Sequence, residues 1–373
     1  MTAEPTAPNP LRWGILSAAQ IARKNWLAIR NTGLATVTAV ASRDADRARR
    51  FIDECQAEAP MPSVPRAFGS YAELIDSPDV DAVYLPLPTG HRREWVLRAA
   101  AAGKHVVCEK PCAPNLEALR EMVGACERAG VQFMDGVMFM HSRRLAALRE
   151  ALDTEATVGR IRRIDSAFSF CGDDAFFAEN IRMQPHLEPH GCLGDLGWYN
   201  IRFALWAMKE EMPTSVTGRL LSTRTRRGDP SPVPTEFSGE LRFADGASSG
   251  FYCSFLTENQ QWAVIGGESG SLRLEDFVLP FDGDKLRFEV IQPVYDVRGC
   301  DFRMHSNARS FEVEEASQGD PTAQETRLFR DFTEQVRSGS LNPDWPRQAL
   351  NTQRVMEACL ESAKLDGRLM APR

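Results

Sequence analysis

The sequence has no apolar run that approaches the roughly 20 residues a helix needs to span a bilayer. Its first ten residues contain neither Lys nor Arg and no apolar core, so we expect no secretory or twin-arginine leader there. A basic excess is also missing, because 44 Lys and Arg face 51 Asp and Glu for a net charge of −7. A mildly acidic chain is a poor candidate for binding phosphate backbones. We therefore expect neither nucleic acid nor a membrane as a partner.

Paired cysteines are also missing. The nine cysteines are scattered, their number is odd, and no Cys-x-x-Cys pair occurs, which favours a reducing compartment over a disulfide framework. We expect a cytoplasmic protein with buried thiols. His186 and His190 are four residues apart with Glu188 between them, but Pro189 argues against a helix at this position. We expect no metal site.

The length of 373 residues suits two domains. Between Arg12 and about Asp135, short apolar strands alternate with helices, which is typical of βαβ units and of a doubly wound parallel sheet. Alternating strands, one of them over 268–279, mixed with a few helices, one of them over 195–208, then predict an α+β domain. We predict a flexible tail over 1–10, an α/β dinucleotide-binding domain over 11–135 and a second domain over 136–373, whose final helices are candidates to pack back on the first.

The turn after the first strand is the first candidate cofactor site, because open parallel sheets bind ligands at the carboxyl ends of their strands. The fingerprint Gly-x-Gly-x-x-Gly or Ala aligns with Ser17, Ala19 and Ala22, and only the last position matches. Small residues still let backbone N–H groups approach a pyrophosphate at a helix N-terminus. An ordinary strand–helix turn is the alternative. The candidate cofactor residues here are Ser17, Ala18, Ala19, Gln20 and Ile21.

Ser42 and Arg43 end the second predicted strand, where NAD-binding proteins usually carry an acidic residue for the ribose hydroxyls. An Arg at this point can meet a 2′-phosphate. The pattern therefore favours NADP over NAD, and the alternative is a surface Arg beside Asp44.

Several short motifs together resemble the Gfo/Idh/MocA oxidoreductase family, in its glucose–fructose oxidoreductase and dimeric dihydrodiol dehydrogenase branch. Glu109-Lys110-Pro111 follows a late strand and is the most specific of them. The others are 17–22, 87–91, 131–136 and 194–199, so the resemblance covers nearly the whole chain after the tail. The departures are the two missing glycines and the sequence 141–143, where many members have an Arg followed shortly by Pro.

The resemblance implies a Rossmann domain followed by a domain with a large, mostly antiparallel open sheet, which often serves in dimer formation. The family's catalytic Lys corresponds to Lys110, and its second motif to Asp195-Leu196-Gly197-Trp198-Tyr199. His141 and Arg182 are candidates to bond sugar hydroxyls, and for each of them a structural role is the alternative. The implied nicotinamide and ribose contacts are Leu85, Pro86, Pro88, Thr89, His91, Glu109 and Lys110. For His91, a plain position at a helix N-terminus is the alternative.

Hydride transfer from a carbinol carbon requires a group that takes the hydroxyl proton. Tyr199 has an ordinary pKa near 10, and we expect the Lys110 cation to favour its phenolate while holding the substrate oxygen. Asp195 is four residues before Tyr199, so on a helix both share a face and Asp195 can bond a substrate hydroxyl. The alternatives are that Lys110 pairs with Glu109, that Tyr199 is a buried helix residue and that Asp195 is a helix N-cap.

We therefore expect an oxidoreductase that uses NADP, or NAD, to oxidise an aldose at the anomeric carbon or to reduce the matching ketone. A nucleotide-retaining sugar transhydrogenase and a non-catalytic NADP-binding sensor are the alternatives. The substrate is a sugar or sugar-like polyol, and the family implies a homodimer or homotetramer.

Overall fold

Six parallel strands form the first sheet of this computed structural model, which describes residues 9–372. The sheet order is β3-β2-β1-β4-β5-β6, the order of dinucleotide-binding folds with a switch point between β1 and β4. Of the predicted tail, only residues 9 and 10 lie inside the described range. The strands are β1 (Leu11–Leu16), β2 (Ala35–Ala41), β3 (Arg66–Phe68), β4 (Ala82–Leu85), β5 (His105–Cys108) and β6 (Phe133–Asp135).

Helices connect these strands, and their ends follow local chemistry. The Asp44 carboxylate accepts a hydrogen bond of 2.9 Å from the Asp46 N–H and caps the second helix. Gly130 ends the fifth helix with a φ of 67°, which glycine adopts without strain. The helices are α1 (Gln20–Asn31), α2 (Ala45–Glu58), α3 (Tyr71–Ile75), α4 (Thr89–Ala101) and α5 (Leu116–Ala129).

The second domain is built on eight strands in the order β16-β13-β12-β11-β7-β10-β9-β8. Only β7 and β10 pair in parallel, so this sheet is mostly antiparallel. A separate hairpin is formed by β14 and β15. The strands are β7 (Ile161–Ser169), β8 (Ser215–Arg224), β9 (Val233–Arg242), β10 (Ser248–Ser254), β11 (Ala263–Gly267), β12 (Ser271–Leu274), β13 (Lys285–Ile291), β14 (Val294–Arg298), β15 (Asp301–His305) and β16 (Ala308–Glu314).

Five further helices accompany this sheet. A single π-helical turn, Leu193–Gly197, leads directly into the third of them. Between residues 9 and 372, no helix combines the length and apolar character that a bilayer span requires. The helices are α6 (Arg143–Asp153), α7 (Asp174–Glu179), α8 (Trp198–Ala207), α9 (Gln324–Arg337) and α10 (Asp344–Lys364).

The predicted fold class, a doubly wound parallel sheet followed by a mostly antiparallel open sheet, is confirmed. Two local predictions differ from the structure. The helix expected from Asp195 starts as the π-helical turn, and the strand expected over 268–279 covers only Ser271–Leu274. Beyond it the chain forms a loop, because the Asp276 carboxylate accepts a hydrogen bond of 2.8 Å from the Phe281 N–H and so closes a turn.

The two domains share buried contacts. Phe329 and Phe332 of α9 pack on Trp13 of β1, with ring centroids 5.2 and 5.3 Å apart. Asp135, at the end of β6, accepts a hydrogen bond of 2.7 Å from Arg202 of α8. The Arg202 Nε donates to Thr352 of α10 at 2.8 Å. Asp135 and Arg202 are almost completely buried, so this ion pair fixes α8 and α10 against the parallel sheet.

Replacing Arg202 tests this junction. Arg202→Met leaves the Asp135 carboxylate buried without its cation, so we expect a loss of about 3–5 kcal/mol in the free energy of unfolding. Chemical denaturation measures the loss. Arg347→Met is the matched control, because Arg347 pairs with Asp344 at the surface. A loss below about 1 kcal/mol for Arg202→Met, as for exposed pairs, would contradict the assignment.

Candidate active site

A cleft of about 1120 Å³ lies between the carboxyl ends of the parallel strands and the second domain. The residues that line it come from the N-terminus of α1, from the segments after β4 and β5, and from the second domain. Ten of the predicted site residues line this cleft: Ala19, Gln20, Ile21, Pro86, Pro88, Glu109, Lys110, Arg182, Asp195 and Tyr199.

Lys110 and Asp195 form the central contact of the cleft. The Lys110 Nζ donates to the Asp195 Oδ1 at 2.8 Å and to the Asp195 carbonyl oxygen at 2.6 Å. Their side chains are only 11% and 15% exposed. Lys110 follows β5 of the first domain and Asp195 belongs to the second, so the ion pair crosses the domain boundary.

Arg182 completes a triad with these two residues. Its Nε donates to the Asp195 Oδ2 at 2.6 Å. Burial alone would raise the pKa of Asp195, but the charges of Arg182 and Lys110 outweigh burial and hold that pKa well below its ordinary value. Asp195 is therefore ionised at neutral pH and holds two cations in place, whereas the sequence led us to expect an Asp195 that binds a substrate hydroxyl.

The π-helical turn that carries Asp195 depends on two glycines. A Cβ on Gly194 would lie 2.7 Å from the Cβ of His190, and one on Gly197 would lie 2.9 Å from the Leu193 Cδ1. The Cβ of His190 cannot move away without its backbone, so a side chain is excluded at Gly194, whereas a side chain at Gly197 would require the end of Leu193 to move. Such turns occur frequently at functional sites, and this one places the Asp195 carboxylate and carbonyl on the same ammonium group.

Tyr199 packs against Lys110 in the cleft. The Lys110 Nζ lies 4.6 Å from the centre of the Tyr199 ring, over its face, while the hydroxyl lies 3.7 Å from the Met138 sulfur. Burial raises the pKa of Tyr199 well above 10, and the charges of Glu109 and Asp195 add to the effect. Burial and the neighbouring carboxylates therefore oppose the phenolate, and the expected effect of Lys110 on it stays a prediction.

The turn before α1 suits a dinucleotide although it lacks two glycines. Ser17 has a φ of 140°, a region that favours glycine. The first residues of α1 line the cleft, and Ala19 at the N-cap offers no side chain to its N–H groups. Free N–H groups at a helix N-terminus bind phosphate. These residues fit the pyrophosphate of a nicotinamide cofactor.

Arg43 lies near the same turn. Burial raises the pKa of Tyr71, while the charges of Arg43 and Arg47 and a hydrogen bond with the Ser17 hydroxyl act in the opposite direction. Arg43 is exposed and Ser42 is buried. Two guanidinium groups, a phenol and a hydroxyl therefore surround the end of β2.

Eight predicted residues, all within residues 9–372, do not line the cleft. Thr89 is fully buried and donates from its hydroxyl to the Glu188 carboxylate at 2.6 Å, so it joins the two domains. Leu85 belongs to the core and His91 is exposed. The eight are Ser17, Ala18, Ser42, Arg43, Leu85, Thr89, His91 and His141.

His141 is the clearest correction. Its Nδ1 lies 2.7 Å from an Asp331 carboxylate oxygen, and its ring packs beside Trp345. It lines a separate cavity of about 190 Å³ together with Asp135 and Arg202. The partner that holds His141 is 190 residues away in the chain, so no local pattern indicated that His141 turns away from the cleft.

The sequence did not predict one buried hydrogen-bond network beside the cleft. The Asn25 side chain donates to the Tyr84 hydroxyl at 2.5 Å, and that hydroxyl donates to the Glu109 carboxylate at 2.6 Å. Asn25 belongs to α1 and Tyr84 to β4. The one signal in the sequence was a Tyr inside an otherwise aliphatic strand, since a buried Tyr hydroxyl requires a partner.

The Rossmann-like sheet, the second domain and the cleft between them fit a nucleotide-binding oxidoreductase. Residues 11–137 match the oxidoreductase family GFO/IDH/MocA with its NAD-binding Rossmann fold, and residues 145–273 match the C-terminal domain of the same family. The chain belongs to this family. The predicted family and the predicted NAD(P)-dependent oxidoreductase class are confirmed.

Individual relatives agree with this assignment. D-xylose 1-dehydrogenase (NADP+) 2 of Haloferax volcanii is 31% identical over 262 residues, which are 70% of this chain and 75% of that protein. Trans-1,2-dihydrobenzene-1,2-diol dehydrogenase of Mus musculus is 29% identical and covers 72% of this chain and 76% of its own. A crystallised 3-ketoreductase from Actinomadura kijaniata shares the fold, with a TM-score of 0.78, 24% identity, and coverage of 95% of this chain and 98% of that one.

His190, which precedes the π-helical turn, gives a pH-dependent prediction. Burial lowers its pKa to about 4, and its Nδ1 has no hydrogen-bond partner within the described residues. Between pH 6.5 and 4 the unfolded chain binds a proton at His190 and the folded protein does not. We expect this residue to cost about 1.4 kcal/mol of stability per pH unit as the pH falls through that window.

His190→Gln should remove this contribution, and denaturation curves at several pH values measure the difference in slope. His305→Gln, at an exposed position of β15, should leave the slope unchanged. Equal slopes for the wild type and His190→Gln would refute the proposed neutral state of His190.

Proposed function

We propose that the protein is an NADP-dependent dehydrogenase or reductase that transfers a hydride between nicotinamide and a carbinol carbon of a sugar or sugar-like polyol. The observation that carries the proposal is the convergence of Lys110, Arg182 and Tyr199 around Asp195 in one cleft, beside the free N-terminus of α1. The names of the relatives support it, because one is an NADP+-dependent D-xylose 1-dehydrogenase and another a diol dehydrogenase. Oxidation of an aldose at its anomeric carbon is the preferred reaction.

Lys110 binds the reacting oxygen in this proposal. An ammonium group has three donors, and Asp195 accepts two of them. The third N–H remains for the substrate, and the positive charge stabilises the oxygen as negative charge develops on it. The bound nicotinamide supplies or accepts the hydride.

Tyr199 is the proton donor for reduction, because its raised pKa keeps it protonated at neutral pH. In the oxidation direction the steps reverse: Tyr199 first releases its own proton to solvent in the cleft, and its phenolate oxygen then receives the hydroxyl proton of the substrate. Arg182 uses only its Nε for Asp195, so its terminal N–H groups are available to substrate hydroxyls. Asp195 orients both cations, a positioning role that replaces the direct substrate contact expected from the sequence.

We also propose that the chain works in the cytoplasm as a homodimer or homotetramer. All nine cysteines are free, in keeping with a reducing compartment. Tyr295, Val297, Phe302 and Met304 lie on one face of the β14–β15 hairpin, and each is more than half exposed. A two-stranded hairpin with an apolar face is stabilised when another surface covers it.

Lys110→Met should lower kcat by about 10²–10⁴-fold, because the substrate oxygen loses the cation that binds it. NADP binding should stay within about threefold, since the pyrophosphate and 2′-phosphate contacts proposed above lie elsewhere. Reduced-nicotinamide absorbance, followed with a panel of aldoses, measures kcat. Lys364→Met at the exposed end of α10 is the control. Unchanged turnover in Lys110→Met would disprove the role of Lys110.

Arg43→Ala should reduce kcat/KM for NADP by about 10- to 100-fold, because one charge-assisted contact to the 2′-phosphate is lost. The value for NAD should change less than threefold. Arg50→Ala, an exposed Arg further along α2, is the matched control. Equal losses with NADP and NAD would show that Arg43 does not read the 2′-phosphate.

A further inference from the structure

The outer part of the cleft exposes large apolar side chains. Ile181, Leu279 and Phe281 line the cleft and are 43%, 44% and 63% exposed. Exposed apolar groups that gather at one concave site are typical of ligand-binding surfaces. None of the three contributes to the triad that holds the reacting oxygen, so the proposed chemistry leaves them without a role.

The loop that presents Leu279 and Phe281 is held in place by hydrogen bonds. The Gln261 side-chain amide exchanges two of them with the main chain of Leu279, at 2.6 and 2.7 Å. The buried Asp276 accepts from the Phe281 N–H, and Arg144 donates to the Asp276 carbonyl at 2.7 Å. Because the loop is fixed in this way, its two apolar side chains stay in the cleft although their exposure to water is unfavourable.

An aromatic wall continues this surface. Trp262 lines the cleft, and its indole N–H donates to the Gln260 side chain at 3.0 Å. The Gln260 main chain pairs with Ser169 at the end of β7. Phe170, beside Ser169, also lines the cleft and packs on Phe255 with ring centroids 5.0 Å apart. The aromatic faces are therefore preorganised.

The charges of the cleft disfavour an anionic substrate. Six carboxylates and four cations line it, a net charge of −2, and a bound dinucleotide would add the negative charge of its phosphates. Lys24 pairs with Glu325, while Lys110 and Arg182 share Asp195. Arg92 donates to the main-chain carbonyls of Leu87, Glu109 and Pro111. Three of the four cations are therefore paired with carboxylates, and Arg92 is held by main-chain carbonyls.

We propose that this outer surface, formed by Ile181, Leu279, Phe281, Trp262 and Phe170, is a subsite for an uncharged aryl or alkyl substituent of the polyol substrate. The inference rests on the proposed function and narrows its substrate class. The inner triad binds the hydroxyl that is oxidised to a carbonyl. Its hydride passes to nicotinamide and its proton to the protein, and the apolar substituent stays chemically unchanged. Phosphate esters and nucleotide-linked sugars are disfavoured.

Equilibrium binding to the NADPH-loaded protein tests the subsite without requiring turnover. The probes keep the anomeric hydroxyl free and differ only at O6: 6-O-phenyl-D-glucose, 6-O-methyl-D-glucose and D-glucose 6-phosphate. We expect the phenyl compound to bind about tenfold more tightly than the methyl compound, because the ring buries apolar surface on the aromatic wall. The phosphate should bind no more tightly than the methyl compound.

Variants of the loop locate the effect. Leu279→Ser and Phe281→Ser should each reduce the phenyl preference to about threefold or less and leave binding of the methyl compound within twofold. Leu365→Ser is the matched control, since Leu365 is 47% exposed and lies at the end of α10. Melting temperatures verify that the variants fold.

Equal affinity for the phenyl and methyl compounds, tighter binding of the phosphate, no binding of any probe, or loop variants that keep the preference would each overturn the subsite. Failure of the proposed function gives a different result. In that case, no sugar or glycoside supports nicotinamide reduction, yet the phenyl preference and its loss in the loop variants remain.

Discussion

The ion pair between Lys110 and Asp195 is the contact on which the site depends. It joins the end of β5 in the first domain to a π-helical turn in the second, with both side chains largely removed from solvent. Two charges are stable in such a position only when each has further partners. Arg182 and the Asp195 carbonyl supply them. The same contacts that satisfy the pair therefore orient the two cations toward the space where a substrate oxygen would lie.

Similar buried polar contacts hold the two domains together elsewhere along the junction. Thr89 of α4 bonds Glu188, and Asp135 at the end of β6 bonds Arg202 of α8. Each of these first-domain residues lies at the carboxyl edge of the parallel sheet, where parallel-sheet proteins bind their ligands. The second domain is thus attached along the carboxyl edge of the parallel sheet, beside the cleft, and its position is set by contacts with the ends of these strands.

The sequence predicted best those features that depend on residues close together in the chain. The parallel sheet could be predicted because its strands are short apolar runs between helices with identifiable caps, such as Asp44. Lys110 and Tyr199 were found because they belong to compact motifs. Long-range pairing could not be predicted. His141 is held by Asp331, and the loop with Leu279 breaks an expected strand because Asp276 bonds both Arg144 and the Phe281 N–H. The raised pKa of Tyr199 reflects burial and neighbouring carboxylates, which no spacing in the sequence displays.

At Ser17 the backbone keeps the conformation expected of the motif, although the residue type differs. A glycine is expected at this position because the turn requires a φ that other residues avoid, and Ser17 adopts a φ of 140° at an expected cost of about 1–3 kcal/mol. The hydroxyl is a polar group that glycine lacks, and it lies close to Tyr71, near Arg43 and Arg47. The substitution therefore keeps the path of the chain toward the N-terminus of α1 and adds a contact beside the two guanidinium groups. The backbone of this turn thus keeps a conformation that favours glycine although two of the three fingerprint residues differ.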